Sequence, residues 1–393
     1  MSQTTIDSIA EKAQEHLKAH GIDGWLLYDY RGMNPIFWET IGHVPNVTRP
    51  CWLWIPSAGQ PCLLVSYVDR GRFQHLGMTI SVFGSREHMA ERLAELLTGA
   101  GRVAMEYSPQ GQLPRVSKVD AGTLEFVRAL GVEVVSAADT LQYATQLWSK
   151  DQLHSHLVAA RKLDTIVQEA FSYIGEAMDL GLTEYAVAEF IRRRFVEEGL
   201  AMTDGPVVAV GEHSSDPHHD PAPEGSTSIT AGDWILVDLW SRLEDEDSMF
   251  ADITWTAYMG QSVPAHHQQV FDAVIGARDA ALGEIEGAFA DGRVLHGWEV
   301  DKVARNHIER AGYGAYFNHR LGHSLGRDVH GNAVNLDGWE TYDTRQVVPG
   351  IAVTIEPGIY LPNRFGVRSE IDVYITENGP RVTTEVQRSV VLI

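Results

Sequence analysis

The chain has 393 residues, 44% of them hydrophobic and 21% charged, proportions that exclude a disordered or fibrous protein. Lys and Arg number 31 against 53 Asp and Glu, a formal net charge of −22, which excludes a nucleic-acid partner because phosphate binding needs clustered cations. Two cysteines, a polar N-terminus without the apolar core of a signal peptide, and no run of about 18 apolar residues point away from disulfide frameworks and membranes, toward the cytoplasm.

At this length two domains are expected, 1–147 and 148–393. In the first, apolar runs at 25–28, 51–55, 62–65, 80–83, 103–105 and 132–135 predict strands, and 8–19, 88–97 and 121–130 predict helices. The alternation predicts an α/β domain with a mixed sheet. Past the boundary near Trp148, Ser149 and Gln152 predict a capping box that opens a long helix running to about Met178. Thr183 caps a second helix, in which Val187, Phe190, Ile191 and Phe195 form one apolar stripe.

From here the chain repeats itself. VAEFIRRRFVEEGL at 187–200 aligns without gaps on VDKVARNHIERAGY at 300–313, and AGDWILVD at 231–238 aligns on PGIAVTIE at 349–356. Each half then reads as helices followed by a β-hairpin. The repeat matches Asp238 with Glu356 and Asp252 with Glu370; Asp238 and Asp252 are 14 residues apart, and so are Glu356 and Glu370. Strands are predicted at 234–239 and 353–355, with partners at 252–258 and 367–375, so each acidic pair sits on neighbouring strands. A pseudo-twofold packing of the halves would bring four carboxylates to one point. Buried together they cannot all ionise without cations, and two divalent ions resolve the conflict. The acids at 244–247 read instead as a solvated hairpin tip.

Histidines supply the second signal. FNHRLGHSLGRDVHG carries His319, His323 and His330 among glycines that let backbone approach a ligand, and imidazole is the common neutral ligand for such metals. SSDPHHDP places His218 and His219 on a loop before the first acidic strand.

The segments ILVDLW, FADITWT, HRLGHSLGRDVH, TIEPGIY and GVRSEIDVYIT, in that order, resemble the pita-bread metallopeptidases (family M24), and the proline-specific branch of prolidase and aminopeptidase P above all. The resemblance covers 150–393 well and the N-terminal part more loosely. It implies a creatinase-N-like α/β domain followed by an α+β pita-bread domain with an internal pseudo-twofold. It also implies metal ligands at Asp238, Asp252, His323, Glu356 and Glu370. Catalytic roles fall on Glu356, His330, His218 and Arg368, and substrate contacts on His218, His319, His330 and Tyr360, with His219 a rival to His218. The implied cofactor is a pair of divalent ions, Mn²⁺ first and Co²⁺ or Zn²⁺ as alternatives, in a homodimer.

The implied substrate is a proline-containing dipeptide or short peptide, cut by a prolidase or, on longer peptides, by an Xaa-Pro aminopeptidase. A non-catalytic binding protein on the same fold is a third reading. Trp255 stands where the family has arginine. Tyr342 holds the gapless position of a substrate-carboxylate clamp, with Arg345 close by.

Overall fold

Every apolar run predicted before residue 147 becomes a strand: β1 (Gly24–Asp29), β2 (Cys51–Pro56), β3 (Cys62–Ser66), β4 (Thr79–Phe83), β5 (Arg102–Met105) and β6 (Glu133–Ser136). They form one mixed sheet in the order β4-β3-β2-β1-β5-β6, antiparallel at β1–β2 and β2–β3 and parallel elsewhere. The computed structural model describes residues 3–177, 180–201 and 204–393. It divides into two compact units, Met1–Leu147 and Trp148–Ile393.

The central strands β1, β2 and β3 are buried on both faces, so they read as largely apolar runs rather than alternating with polar residues, while the outer β4 and β6 are partly exposed. Trp25, Leu27, Leu53 and Val65 pack beneath Ala10, Ala13 and Leu17 of α1 (Gln3–Ala19). Leu26, Trp52, Leu64 and Val103 face the other way, onto Leu93 of α3 (Arg86–Leu96) and Leu124 and Val127 of α4 (Ala121–Arg128). A helix that the sequence did not announce, α2 (Pro35–Ile41), lies between β1 and β2. Its seven residues are too few to show a period, but Asn34 caps it by accepting the N–H groups of Ile36 and Phe37, with proline in the first turn. The short α5 (Ala138–Leu141) closes the unit. Cys51 and Cys62 are both free thiols.

In the second unit the capping box forms as predicted. Ser149 Oγ accepts the Gln152 N–H at 3.2 Å and the Gln152 side chain accepts the Ser149 N–H at 2.9 Å. The helix it opens, α6 (Lys150–Glu176), is described to Glu176; the expected end near Met178 lies outside the described residues. α7 (Glu184–Glu197) is capped by Thr183 and buries Val187, Ile191 and Phe195, while Phe190 stacks on Tyr173 at 4.6 Å. Next in the chain come β7 (Val207–Val210), β8 (Trp234–Ser241) and β9 (Ala251–Tyr258), the helices α8 (Ala265–Ala290) and α9 (Gly297–Arg310), and β10 (Ser324–Leu325). The last strands are β11 (Ala352–Ile355), β12 (Gly358–Leu361), β13 (Phe365–Arg368), β14 (Ile371–Thr376), β15 (Gly379–Val382) and β16 (Val391–Leu392).

Both halves therefore supply a helix pair and an antiparallel strand pair, β8–β9 and β11–β14, within sheets ordered β16-β9-β8-β7 and β10-β11-β14-β15. Two differences between the halves decide where the acids lie. The partner strand expected at 367–375 is broken in two: β13 pairs with β12, and only β14 pairs with β11. The break falls at Glu370, whose N–H donates to Thr254 O of the first half instead of continuing its own hairpin. The register also slips. Asp238 faces Thr254 and Asp252 faces Trp240, whereas Ile355 faces Ile371, which sets Glu356 opposite Glu370. The slip is two residues, an even number, so every acid keeps its face of the sheet.

Gly322 shows how tightly the second half is built. A Cβ there would lie 2.1 Å from Thr354 O, on the strand next to His323. Gly322→Ala is expected to cost about 1–3 kcal/mol, the usual penalty of overpacking. Urea denaturation followed by tryptophan fluorescence measures it, and an unchanged midpoint would show that the two backbones are not in contact.

Candidate metal centre

Asp238 lies inside β8 and Asp252 inside β9; Glu356 directly follows β11 and Glu370 directly precedes β14. The four carboxylates share one pocket with His323, from the loop between α9 and β10. His323 Nε2 is 3.6 Å from Asp252 Oδ2 and 3.5 Å from Glu356 Oε1. Asp252, His323 and Glu370 each present a ligand atom within 4.8 Å of the others. The imidazole is held by its other nitrogen: Nδ1–H donates to Ser324 O at 3.2 Å, so the Nε2 lone pair points at the acids. Its backbone N–H donates to Thr354 Oγ1 at 3.0 Å, which ties the histidine loop to β11.

Asp238 and Glu370 are joined through Arg368. The guanidinium donates to Asp238 Oδ2, to Thr254 Oγ1 at 3.1 Å and to the Tyr360 hydroxyl at 2.9 Å. Thr254 Oγ1 in turn donates to Glu370 Oε2 at 2.7 Å. Tyr360 donates to His319 Nε2 at 2.8 Å, and His319 Nδ1–H donates to Arg320 O at 2.7 Å. Burial and then the Arg368 charge lower the His319 pKa to about 3, so the ring is neutral. Both of its nitrogens are committed inside the protein.

Charge is badly out of balance here. Burial, and then Glu370 and Asp238, push the Asp252 carboxyl far above the carboxylate range; burial, and then Glu356 and Asp238, do the same to Glu370. Burial raises Glu356 to about 7 although Arg368 and Arg320 pull it down, and burial raises Asp238 despite the Arg368 contact. A fifth acid, Asp372, was missed in the sequence. It is fully buried, accepts the Asp252 N–H at 3.0 Å, and lies 4.0 Å from His156 Nε2. One signal could have revealed it, since at the repeat offset it matches Thr254.

Buried oxygens Asp238 Oδ1, Asp252 Oδ1 and Asp372 Oδ1 accept no hydrogen bond. Carboxylates this crowded, with lone pairs unused and an imidazole nitrogen aimed among them, fit divalent cations. The donor set suits hard to borderline metals.

The remaining sequence candidates fall around this pocket unequally. His330 is exposed and sets its ring edge-on to His323, centroids 4.3 Å apart at 89°. His218 is exposed on the segment after β7, while His219 turns the other way, 3.3 Å from Glu184. Arg345 is buried and spent on Asp343 at 2.6 Å and Asn332 O at 2.6 Å, so it cannot reach for a substrate. Tyr342 stacks on Trp298 at 5.3 Å. Trp255 packs against the core with its indole N–H unpartnered.

Residues 158–377 match metallopeptidase family M24. The chain is similar to an uncharacterized peptidase of Staphylococcus saprophyticus, 31% identical over 257 residues that cover 65% of this chain and 67% of that one. Among solved structures it resembles a dipeptidase, PepE, from Mycobacterium ulcerans, with a TM-score of 0.74 and 24% identity over 100% of this chain and 99% of that one. It also resembles a prolidase from Pyrococcus horikoshii, with a TM-score of 0.63 and 24% identity over 98% and 99%. These likenesses make the architecture a pita-bread domain preceded by an α/β domain.

The raised carboxyls set a pH signature for the metal-stripped protein. Glu356 titrates at about 7 when folded against an ordinary 4.5. Its protonation therefore stabilises the stripped fold fully below about pH 4.5, and that contribution is lost as pH rises through about 7. Added Mn²⁺ replaces protons, so the rise in Tm that it causes should grow by several degrees between about pH 5 and 7.5. Scanning fluorimetry with and without MnCl₂ checks this; equal shifts at both ends would mean that the acids do not share a cation site.

Proposed function

The chain belongs to metallopeptidase family M24, and on that premise we propose that it hydrolyses the Xaa-Pro bond, with Xaa-Pro dipeptides as its main substrates. One observation carries the reading: four carboxylates, Asp252 and Glu370 buried and Asp238 and Glu356 partly exposed, crowd beside an imidazole whose Nε2 lies 3.6 Å from Asp252 and 3.5 Å from Glu356. In this proposal Asp238, Asp252, His323, Glu356 and Glu370 hold two divalent ions, Mn²⁺ in preference to Co²⁺ or Zn²⁺. Bound there, such ions supply Lewis acidity that polarises a carbonyl and acidifies water.

The protein's own groups do the rest. Glu356 accepts the proton of the attacking water, from a position directly after β11 and 3.5 Å from His323 Nε2. His330, exposed with its ring against His323, donates to the oxyanion of the tetrahedral intermediate, a role that His218, exposed on the segment after β7, could share. Arg368 holds Asp238 directly and Glu370 through Thr254, and so fixes the spacing of carboxylates from both halves. Tyr360 and His319 act through Arg368 by fixing the guanidinium plane. A preference for the shortest substrates draws support from the similar structures that bear the names dipeptidase and prolidase.

Hydrolysis of Ala-Pro, Ala-Pro-Ala and Ala-Ala by the Mn²⁺-loaded protein tests the substrate. Ala-Pro is expected to be cut fastest. Faster cleavage of Ala-Pro-Ala would make the enzyme an Xaa-Pro aminopeptidase, and equal cleavage of Ala-Ala would remove proline from the description.

Asp252→Asn tests the site. Groups outside the ligand shell typically cost 10–100-fold when lost, so a ligand should cost more than about 100-fold in kcat, with metal content falling in parallel. Full metal and full rate in that variant would discard the ligand set.

A further inference from the structure

A second cluster of metal-ligating side chains joins α7 to the segment between β7 and β8. Glu184, in the first turn of α7, is fully buried. His213 Nδ1 approaches its Oε2 at 3.0 Å, and His219 Nε2 approaches the same oxygen at 3.3 Å. The two imidazoles stack, centroids 4.5 Å apart and 29° between planes. All three ligand atoms lie within 4.8 Å of one another. His219 Nε2 is buried, and its one close partner, Glu184 Oε2 at 3.3 Å, does not meet it with good hydrogen-bond geometry.

We propose that Glu184, His213 and His219 form a third metal site, distinct from the acidic centre, which takes Zn²⁺ and fastens the 213–219 segment to α7. Its dimensions fit. Ligand distances of about 2.0–2.2 Å in tetrahedral zinc set neighbouring ligand atoms roughly 3.3–3.6 Å apart. The spacings around Glu184 Oε2, 3.0 and 3.3 Å, need only a small opening to admit the ion.

The carboxylate is already fixed from behind. Oε1 accepts the Val210 N–H at 2.6 Å and Oε2 accepts the Thr227 N–H at 3.1 Å, the kind of outer contact that orients a ligand. Two imidazoles and one carboxylate favour zinc over the all-oxygen cations, with water as the fourth ligand. The acidic centre, with four carboxylates to one imidazole, is the harder site.

The segment also bears on the acidic centre. Ser214 Oγ accepts the Gly366 N–H at 2.8 Å, and a Cβ on Gly366 would lie 1.9 Å from Ser214 O. Gly366 belongs to β13, the strand that ends in Arg368, and His218 sits beside the ligand His219. Zinc would thus fix the backbone on which His218 is carried.

Zinc at this site needs nothing from the acidic centre, so the experiment silences that centre first. Asp252→Asn/Glu370→Gln protein, stripped with chelator, is incubated with ZnSO₄, desalted, and analysed for metal. One zinc per chain is expected. Adding His213→Gln or His219→Gln should remove it, with binding weakened at least about 100-fold in competition with a chromophoric chelator.

The same count in the otherwise wild-type chain guards against a misfolded background, because His219→Gln should then hold one zinc fewer than its parent. Circular dichroism confirms that each variant is folded. Equal zinc in parent and histidine variants, in either background, overturns the site. A stripped background protein that is folded and holds no zinc overturns it as well.

Discussion

The repulsion among buried carboxylates governs the second unit. Asp252, Glu370 and Asp372 are buried, Asp238 and Glu356 are only partly exposed beside them, and Arg368 donates to Asp238 at the edge of the group. A cluster like this has two ways to exist, with protons or with metal cations. The raised carboxyls describe the first state, and the oxygens left without hydrogen bonds at Asp238 and Asp252 are suited to the second. Arg368 cannot neutralise the cluster alone, but it fixes geometry: one planar fork touches an acid of the first half, a threonine bridging to an acid of the second, and a tyrosine.

Holding repelling groups together requires backbone that cannot yield. The two strand pairs meet at Thr254 and Glu370, where backbone and side chain both form hydrogen bonds. Breaking the second hairpin at Glu370 is what frees its N–H for that crossing. The two-residue slip then keeps each acid pointing inward while replacing a diagonal pair, Asp238 and Asp252, by a facing pair, Glu356 and Glu370. The halves are thus related but not equivalent, and only the second half contributes the histidine loop, locked to β11 through Gly322 and Thr354.

Much of this was legible in the sequence because it rests on local chemistry or on spacing. Six strands of the first unit could be read from runs of β-branched and aromatic residues, and the capping box from Ser149 and Gln152. The equal spacing of the acids pointed to one shared pocket, and the carboxylates do share one. What escaped depended on contacts between distant segments. At the break, the Glu370 N–H donates to Thr254 O and the Glu370 side chain accepts from Thr254 Oγ1, 116 residues away. Asp372 reads as an ordinary strand residue until Asp252 is placed against it. Arg345 looked available as a clamp, but Asp343, two residues before it, holds its guanidinium. His218 and His219 could not be told apart by position; the burial of Glu184 separates them, since only His219 turns toward it.

That separation bears on how one chain can host unlike cations. Affinity for divalent ions at any one site follows a common order, so discrimination has to come from ligand type and geometry. A pocket with four carboxylates and one imidazole gives hard oxygen donors and accumulated negative charge. Glu184 with His213 and His219 gives one carboxylate and two imidazoles. An oxygen-seeking ion gains less at the second site, where charge is low. A nitrogen-seeking ion gains at either, but loses least to competition at the second. If the second site fills first with zinc, the acidic centre is left to the harder cation. The link through Ser214 and Gly366 to the strand of Arg368 means that such filling would also stiffen one wall of the acidic pocket.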